Sequence, residues 1–189
     1  SATKLREMNR NNENINDFIS YKLEDIDCDI PYDISNLDSA IISKLRLMTA
    51  EDLQNISEVT EGIENRILSS ANMSYSFETL VENVKNKRYT TSKIRRMIIS
   101  ALIGFTKDIY SPMPQYIRIL GMNKVGMTIL KQAKGICKVP IITKTADFKE
   151  QSPQFNLDVC ATNIAMLCNP IPTHRIGNAD LKKSPIIMK

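Results

Sequence analysis

From Leu37 onward the apolar residues recur at the spacing of an α-helix, and that periodicity limits the fold more than any other feature. Ile94, Met97, Ile98, Ala101, Leu102 and Phe105 form an i, i+3, i+4, i+7, i+8, i+11 series, which puts all six on one face of a helix. Thr90, Thr91 or Ser92 is placed to cap its start. Leu37, Ala40, Ile41, Leu45 and Met48 make an earlier stripe, and Phe77, Leu80, Val81 and Val84 make another behind Ser76. Ile63, Ile67 and Leu68 fit a helix whose other side carries Glu61, Asn65 and Arg66. Thr49-Ala50-Glu51-Asp52 reads as the start of a short helix. Lys124 to Lys134 should be helical and end at Gly135. Pro153 to Cys168 should also be helical, with Leu157, Cys160, Ala161, Ile164 and Cys168 facing inward.

Strand signals are few. Tyr116 to Leu120 is a mixed apolar run compatible with helix or strand. Val139-Pro140-Ile141-Ile142 and Pro185-Ile186-Ile187 could pair as a ribbon, at an edge because of the prolines. The expected fold is mainly α: a helical domain with at most a small two-stranded β element. Toward the N-terminus, Ser1 to Arg10 reads as a helix start with Leu5 and Met8 as its apolar side. Ile15, Phe18, Ile19 and Leu23 continue at helical spacing. Asp25 to Asn36 is acidic, contains Pro31, and is the best internal linker.

Composition excludes several chemistries. At 189 residues and 42% hydrophobic, the chain can bury one ordinary core. The one histidine, His174, rules out a His-rich zinc centre and leaves one candidate base for a Ser-His or Cys-His pair. Cys28, Cys137, Cys160 and Cys168 form no Cys-x-x-Cys pair and read as reduced thiols of a cytoplasmic protein. The most apolar stretch, Met97 to Phe105, is nine residues; a bilayer span needs ~20.

Charge is distributed unevenly. Residues 1–62 hold 6 Lys/Arg against 13 Asp/Glu, whereas residues 63–189 hold 19 against 8. A basic body of this kind suits a polyanion, although a basic body can also be merely soluble. The sharpest local feature is Lys85 to Arg96, with six basic residues, one aromatic, three hydroxyls and no acid. Lys87 and Arg88 precede a helix, and Lys93, Arg95 and Arg96 occupy its start. Cations there cost roughly 0.3–1 kcal/mol each. A phosphate would offset that cost, and Tyr89 could stack on an unpaired base. The other reading is a solvated basic face over the buried stripe.

Three further groups stand out. Glu61, Asn65 and Arg66 could share one helix side, as a phosphate or carboxylate site or as a structural network in which Arg66 pairs with an acid. Arg118 lies among apolar neighbours, either buried and structural or in contact with RNA. Ser1-Ala2-Thr3-Lys4-Leu5-Arg6 places hydroxyls before a helix and a cation one turn in, which suits a phosphate. His174 reads as an exposed loop residue. From the residues alone the chain binds an anion, and no nucleophile–base pair, Gly-rich phosphate loop or metal cluster emerges.

Several blocks of this sequence resemble one family in order and spacing. They are Glu-Gly-Ile-Glu-Asn-Arg (61–66), Ser-Phe-Glu-Thr-Leu (76–80), Lys-Asn-Lys-Arg-Tyr-Thr (85–90), Ile-Arg-Arg (94–96) and Tyr-Ile-Arg-Ile-Leu-Gly-Met (116–122). The family is that of the bacterial tRNA(Met) cytidine acetate ligases, in the nucleotidyltransferase superfamily. The resemblance covers nearly the whole chain and is strongest from Leu37 to Thr143. It implies an enzyme that activates acetate with ATP and Mg2+ as acetyl-adenylate, then acetylates N4 of the wobble cytidine of elongator tRNA(Met). By the same resemblance, residues 1–30 are the tail end of the nucleotidyltransferase domain with a linker, and residues 31–189 are a helical tRNA-binding domain. The opening is similar to the superfamily's Ser-(Ser/Ala)-Thr-x-Ile-Arg motif, which assigns ATP phosphates to Arg6, Thr3 and Ser1.

The family's His-x-Gly-His motif does not occur in this sequence. The resemblance therefore implies a C-terminal portion that is inactive and holds no cofactor by itself, with no catalytic residue and no metal site of its own. ATP and acetate would bind through an N-terminal domain. Lys87, Arg88, Tyr89, Lys93, Arg95, Arg96 and Arg118 are the candidate tRNA contacts. The expected partner is tRNA, with neither DNA nor membrane. The alternatives are a non-catalytic helical module that binds RNA or an acidic protein, and a nucleotidyltransferase acting on another acceptor.

Overall fold

The structure is a computed structural model that describes residues 4–5, 7–8, 11, 13–18, 32–60, 62–148, 152–182 and 184–188. Ser1, Thr3, Arg6, Glu61, Cys28 and most of the expected acidic linker lie outside the described residues. Near the N-terminus, Lys4, Leu5, Glu7 and Met8 are helical, and Asn16–Phe18 is a 3-10 turn.

Five helices build the main core. They are α1 (Asp38–Arg46), α2 (Ala50–Gln54), α3 (Glu64–Met73), α4 (Phe77–Val84) and α5 (Thr91–Ile103). Their starts follow the capping chemistry of the sequence. Thr49 and Asp52 close a capping box on α2, Ser76 and Thr79 close one on α4, and the Thr90 hydroxyl accepts from the Lys93 amide on α5. Gly104, at φ 75°, ends α5 in the left-handed region where a Cβ is unfavourable. A 3-10 turn, Ile34–Leu37, leads into α1, so the end of the expected linker is ordered by the Asp33 cap.

The stripes read from the sequence supply most of the core, although Met48, Leu68 and Leu102 are half-buried and Phe105 lies beyond the end of α5. Ile41, Leu53, Ile67, Leu80, Val81, Val84, Ile94, Met97, Ile98 and Ala101 are all fully buried. Each large aliphatic among them contributes about 1.5–3 kcal/mol, several times what one cap contributes. One position of the first stripe is corrected: Ala40 is exposed, and Ile42 is buried in its place.

Arginines tie the helices end to end. Arg46, at the end of α1, donates from Nε to the Ala71 carbonyl (3.1 Å) and from Nη2 to the Ser74 carbonyl (3.2 Å), closing the C-terminus of α3. Arg66, on α3, closes the C-terminus of α4 in the same way, donating to the carbonyls of Val84 (2.8 Å), Asn83 (3.0 Å) and Lys85 (2.8 Å). A cation at a helix C-terminus meets both the orphan carbonyls and the negative end of the helix dipole. At the other pole, Asp38 on α1 accepts from the Phe77 amide (2.8 Å) at the start of α4.

After α5 the chain builds a smaller cluster with β1 (Ile117–Arg118), β2 (Gly121–Met122), α6 (Lys124–Ala133), β3 (Ile141–Ile142), α7 (Pro153–Met166), α8 (Ala179–Lys182) and β4 (Ile186–Ile187). The single two-stranded element expected from the sequence is corrected to two. Strand β1 pairs with β3 in parallel, and β2 pairs with β4 in parallel. The two Pro-Ile-Ile segments therefore do not meet each other; each adds to one half of the 117–122 run. Parallel pairing needs a long crossover rather than a tight turn, so no local turn signal marks it. Gly121 eases the approach of β4, because a Cβ there would lie a tight 3.3 Å from the Ile186 carbonyl oxygen.

Helix α7 runs where expected, but its inward face is corrected. Cys160 is exposed, Leu157, Ala161 and Ile164 are half-buried, and Phe155 is the residue it buries. Cys168 just beyond it joins the main core, and its carbonyl accepts from the Asp33 amide (3.0 Å) and the Asn36 side chain (3.1 Å).

Around Phe155, the rings of Tyr116 (5.5 Å) and Phe148 (4.9 Å) pack edge-on or tilted. Beside them Arg118 is held between two carboxylates, Asp158 (2.8 Å) and Asp180 (2.6 Å). Arg118 is thus half-buried and engaged by two acids, which favours the structural one of the two roles left open by the sequence. Both acids raise the guanidinium's pKa. Burial, helped by the Asp158 charge, pushes the Tyr116 phenol up to about 12.

Two outcomes are expected. Arg118→Ala should destabilise the fold by about 1–3 kcal/mol in urea unfolding, because it removes charge-assisted hydrogen bonds to Asp180 and to the partly exposed Asp158; a change within ~0.5 kcal/mol would contradict the arrangement. Tyr116 titrates higher in the fold than in the unfolded chain, so its contribution is complete below the ordinary value of 10.0 and is lost as pH rises through about 12. Tyr116→Phe should flatten that alkaline decline in thermal stability.

Candidate nucleic-acid interface

The connection between α4 and α5 carries the basic run. Arg66 fixes where it begins, since its guanidinium holds the Lys85 carbonyl. The Asn86 side chain then accepts from the amides of Arg88 (2.8 Å) and Tyr89 (3.0 Å). This Asx turn displays Lys87 and Arg88, both exposed, and turns Tyr89 inward. The Thr90 cap follows, and α5 begins.

Tyr89 is an anchor, which corrects its assignment as a base-stacking ring. It is 8% exposed and belongs to the main core. Its hydroxyl shares a 2.7 Å hydrogen bond with Thr60. Its ring faces are taken by cations, the Arg88 guanidinium carbon at 5.4 Å from the centroid and the Lys93 ammonium at 5.3 Å. Cation–π contacts of this kind are worth about 0.5–1 kcal/mol near a surface, comparable with the cost of a cation at a helix start. The ring therefore offsets part of the charge that the sequence left unbalanced.

The other cations are answered unequally. Arg95 is bound by Glu78 across the α4–α5 pair and lies over the Phe77 ring at 5.3 Å. Arg96 stands 3.6 Å from Glu58 and stays 63% exposed. Lys85 pairs with Glu82 at 3.6 Å. The structure thus brings Arg88 and Lys93 together on the Tyr89 ring, leaves Lys87 exposed in the preceding turn, and turns Arg95 and Arg96 toward acids on α4 and on the loop after α2. Arg118 lies apart, in the smaller cluster.

The second sequence feature separates into parts. Arg66 is a helix clamp whose partners are backbone carbonyls, a structural role with neither the ligand nor the acid that the two readings of the sequence offered. Asn65 is exposed, and Glu61 lies outside the described residues. The buried carboxylate of the block is Glu64, a residue that the sequence reading did not single out. It is 4% exposed and accepts from the Gln54 side chain (3.0 Å) and the Gly62 amide (2.8 Å). Its own backbone N–H, then the Gln54 amide, hold its carboxyl below the usual glutamate value against the opposing effect of burial.

A further cationic region went unread. From Ile109 to Ala146 there are six cations, Arg118, Lys124, Lys131, Lys134, Lys138 and Lys144, and no acid. Spread over 38 residues, they form no local run, and only a window longer than one helix reveals them. Lys131, Lys134 and Lys144 border an apolar cavity of about 370 Å3 floored by Met122, Met127 and Leu130.

Residues 1–180 match the HIGH nucleotidyl transferase family, across both sides of the boundary placed at residue 30. The chain belongs to that family. It is 35% identical over 158 residues to the tRNA(Met) cytidine acetate ligase of Acetivibrio thermocellus, covering 78% of this chain and 38% of that protein. It is 34% identical over 182 residues to the enzyme of the same name from Thermosipho africanus, covering 84% of this chain and 43% of the other. The crystal structure of Thermotoga maritima TmcAL bound with alpha-thio ATP superposes at a TM-score of 0.81 and 27% identity, covering all of this chain and 51% of that one. The chain thus spans less than half the length of the two relatives. Within this family member, His174 closes a 3-10 turn, Pro172–His174, and is exposed. No described helix is long and apolar enough to cross a membrane.

Glu64 supplies a test of the scaffold under the interface. Its folded pKa is lowered, so its contribution to stability is complete above the unfolded value of 4.5 and is lost as pH falls through the folded one. Glu64→Gln should reduce the acid dependence of the urea midpoint. An unaltered acid limb would contradict the role given to this carboxylate.

Proposed function

We propose that this chain is the C-terminal, tRNA-binding part of an ATP-dependent tRNA(Met) cytidine acetate ligase. The parent enzyme activates acetate as acetyl-adenylate and forms N4-acetylcytidine at the wobble position of elongator tRNA(Met). The observation that carries the reading is the turn into α5, where Arg88 and Lys93 share the Tyr89 ring and Lys87, Arg88 and Arg96 are exposed. The names of the most similar relatives supply the substrate class.

In this reading the two halves of the task are separable. Acyl-adenylate formation requires acetate aligned with the α-phosphate and charge stabilisation on the departing pyrophosphate. That work falls to the nucleotide-binding half that carries His-x-Gly-His, with Arg6, Thr3 and Ser1 reaching ATP phosphates from this chain. ATP enters as a substrate with Mg2+ as its counterion. The helical half holds tRNA by its backbone, so that the wobble cytidine amine reaches the adenylate.

Phosphate contacts make affinity salt-dependent, with a log–log slope that changes by ~0.7–0.9 per contact. Lys87→Glu with Arg88→Glu should lower affinity for a tRNA(Met) transcript by at least about tenfold and make the slope shallower by about 1.4–1.8. Both side chains are exposed, and loss of the Arg88 contact with the Tyr89 ring should lower the thermal midpoint by no more than about 2–4 °C. Wild-type affinity and slope in the double variant would overturn the assignment. Arg95 is a poorer probe, because its loss also breaks the contact with Glu78.

A further inference from the structure

We propose that the cleft between the loops following α2 and α5 is a single-nucleotide subsite, taking one RNA phosphate on Lys93 and Lys107 and its base on the ring of Tyr110. This rests on the tRNA reading above and adds a residue set that reading does not contain. The cleft encloses about 360 Å3 and is walled by Ser57, Glu58, Thr60, Lys93, Lys107 and Tyr110. That is within the size range of small-ligand sites.

The cleft is built from fixed parts. Ile56 and Thr106 form an antiparallel bridge, in which the Ser57 amide donates to the Phe105 carbonyl (2.8 Å) and the Lys107 amide donates to the Asn55 carbonyl (2.8 Å). The two loops are thereby locked side by side, which sets Ser57 and Lys107 on one wall. On the other wall the Tyr89 hydroxyl holds Thr60 at 2.7 Å, and the Tyr89 ring holds Lys93.

The charges favour an anion. Two lysines line the cleft, Lys93 from the first turn of α5 and Lys107 from the loop after it. Among the described residues the wall has one carboxylate, Glu58, and Arg96 stands 3.6 Å from it. The neighbouring Asp108 is engaged elsewhere, held below its usual pKa first by the Thr106 hydroxyl and then by its own amide. Ser57 and Thr60 add hydroxyl donors suited to phosphate oxygens.

The aromatic wall favours a nucleotide over a simple anion. Tyr110 is 58% exposed, and Phe105 supports it at 6.4 Å with a 49° tilt. An exposed ring beside two cations is the pairing that single-stranded nucleic-acid sites use, with a base on the ring and its phosphate on the cations. Tyr110 thus takes the stacking role that the buried Tyr89 cannot.

The probes are a five-nucleotide oligocytidylate and the tRNA(Met) transcript, each titrated against the full 189-residue chain. Tyr110→Ala should weaken pentamer binding roughly 5- to 100-fold with the salt slope unchanged. Tyr110→Phe should restore it, since the ring remains. Lys107→Ala should make the slope shallower by ~0.7. The chain has no Trp and six Tyr, so the part of the pentamer's quenching of tyrosine emission that Tyr110→Ala removes reports the stacked ring, and it should be the larger part. If Tyr110→Ala, at wild-type melting temperature, binds and quenches as wild type does, the subsite is refuted while the tRNA reading stands. If an oligoglutamate of equal charge competes as well as the pentamer, the cleft is an acidic-peptide site and the proposal falls. If wild type binds neither RNA, both readings fall.

Discussion

Two arginine clamps order this molecule, and the Arg66 clamp determines what the basic surface looks like. A helix end leaves several carbonyls without intrahelical partners. Arg66 gathers three of them at the end of α4, each within 3.0 Å. Three charge-assisted bonds to one planar group fix direction as well as distance. The chain therefore leaves α4 along one path, and the Asn86 turn and the buried Tyr89 ring complete the connection to α5. Lys87 and Arg88 are presented by this geometry and not by a flexible loop. Arg46 performs the parallel service for α3, so that α1, α3 and α4 are linked serially through guanidinium groups.

The magnitudes show why α5 tolerates so many cations at its start. Each costs roughly 0.3–1 kcal/mol there. Burial of Ile94, Met97 and Ile98, all at 0% exposure, returns about 1.5–3 kcal/mol apiece. The core thus pins the helix in place, whatever its first turn carries. The residual unfavourable charge is then reduced locally, by the Tyr89 ring, Glu78 and Glu58. What remains is a surface that is stable without a ligand and still favourable to an anion.

Much of the main core was legible in the sequence because its information is local. A stripe at 3.6 spacing, a Thr or Ser before it and a Gly after it act over a few residues, and Ser76, Thr90 and Gly104 all do what such residues should. The misreadings share the opposite property. Tyr89 looked like an exposed aromatic in a basic loop; its burial depends on Thr60, 29 positions away. Arg66 looked like a ligand or a carboxylate partner, yet its targets are backbone carbonyls, which no residue type announces. Cys160 sat in an apolar run, and only the packing of α7 decided which side of that run faces out.

The smaller cluster shows the same limit in its strongest form. Strands of two residues are too short to hold themselves, since even an isolated hairpin is marginal. Their partners lie at sequence distances of 24 and 65 positions, as in Ile117 with Ile141 and Gly121 with Ile186, and closing such loops costs entropy before any contact forms. Helix α6 buries no residue and can contribute little. The compensation comes from the Tyr116, Phe148 and Phe155 rings and from Arg118 between Asp158 and Asp180. Removing two carboxylates and a guanidinium partly from water is expensive, so this triad contributes position more than net energy. It ties β1, α7 and α8 to one point, and a hydrophobic substitute there would lack the directional bonds that keep the three in register.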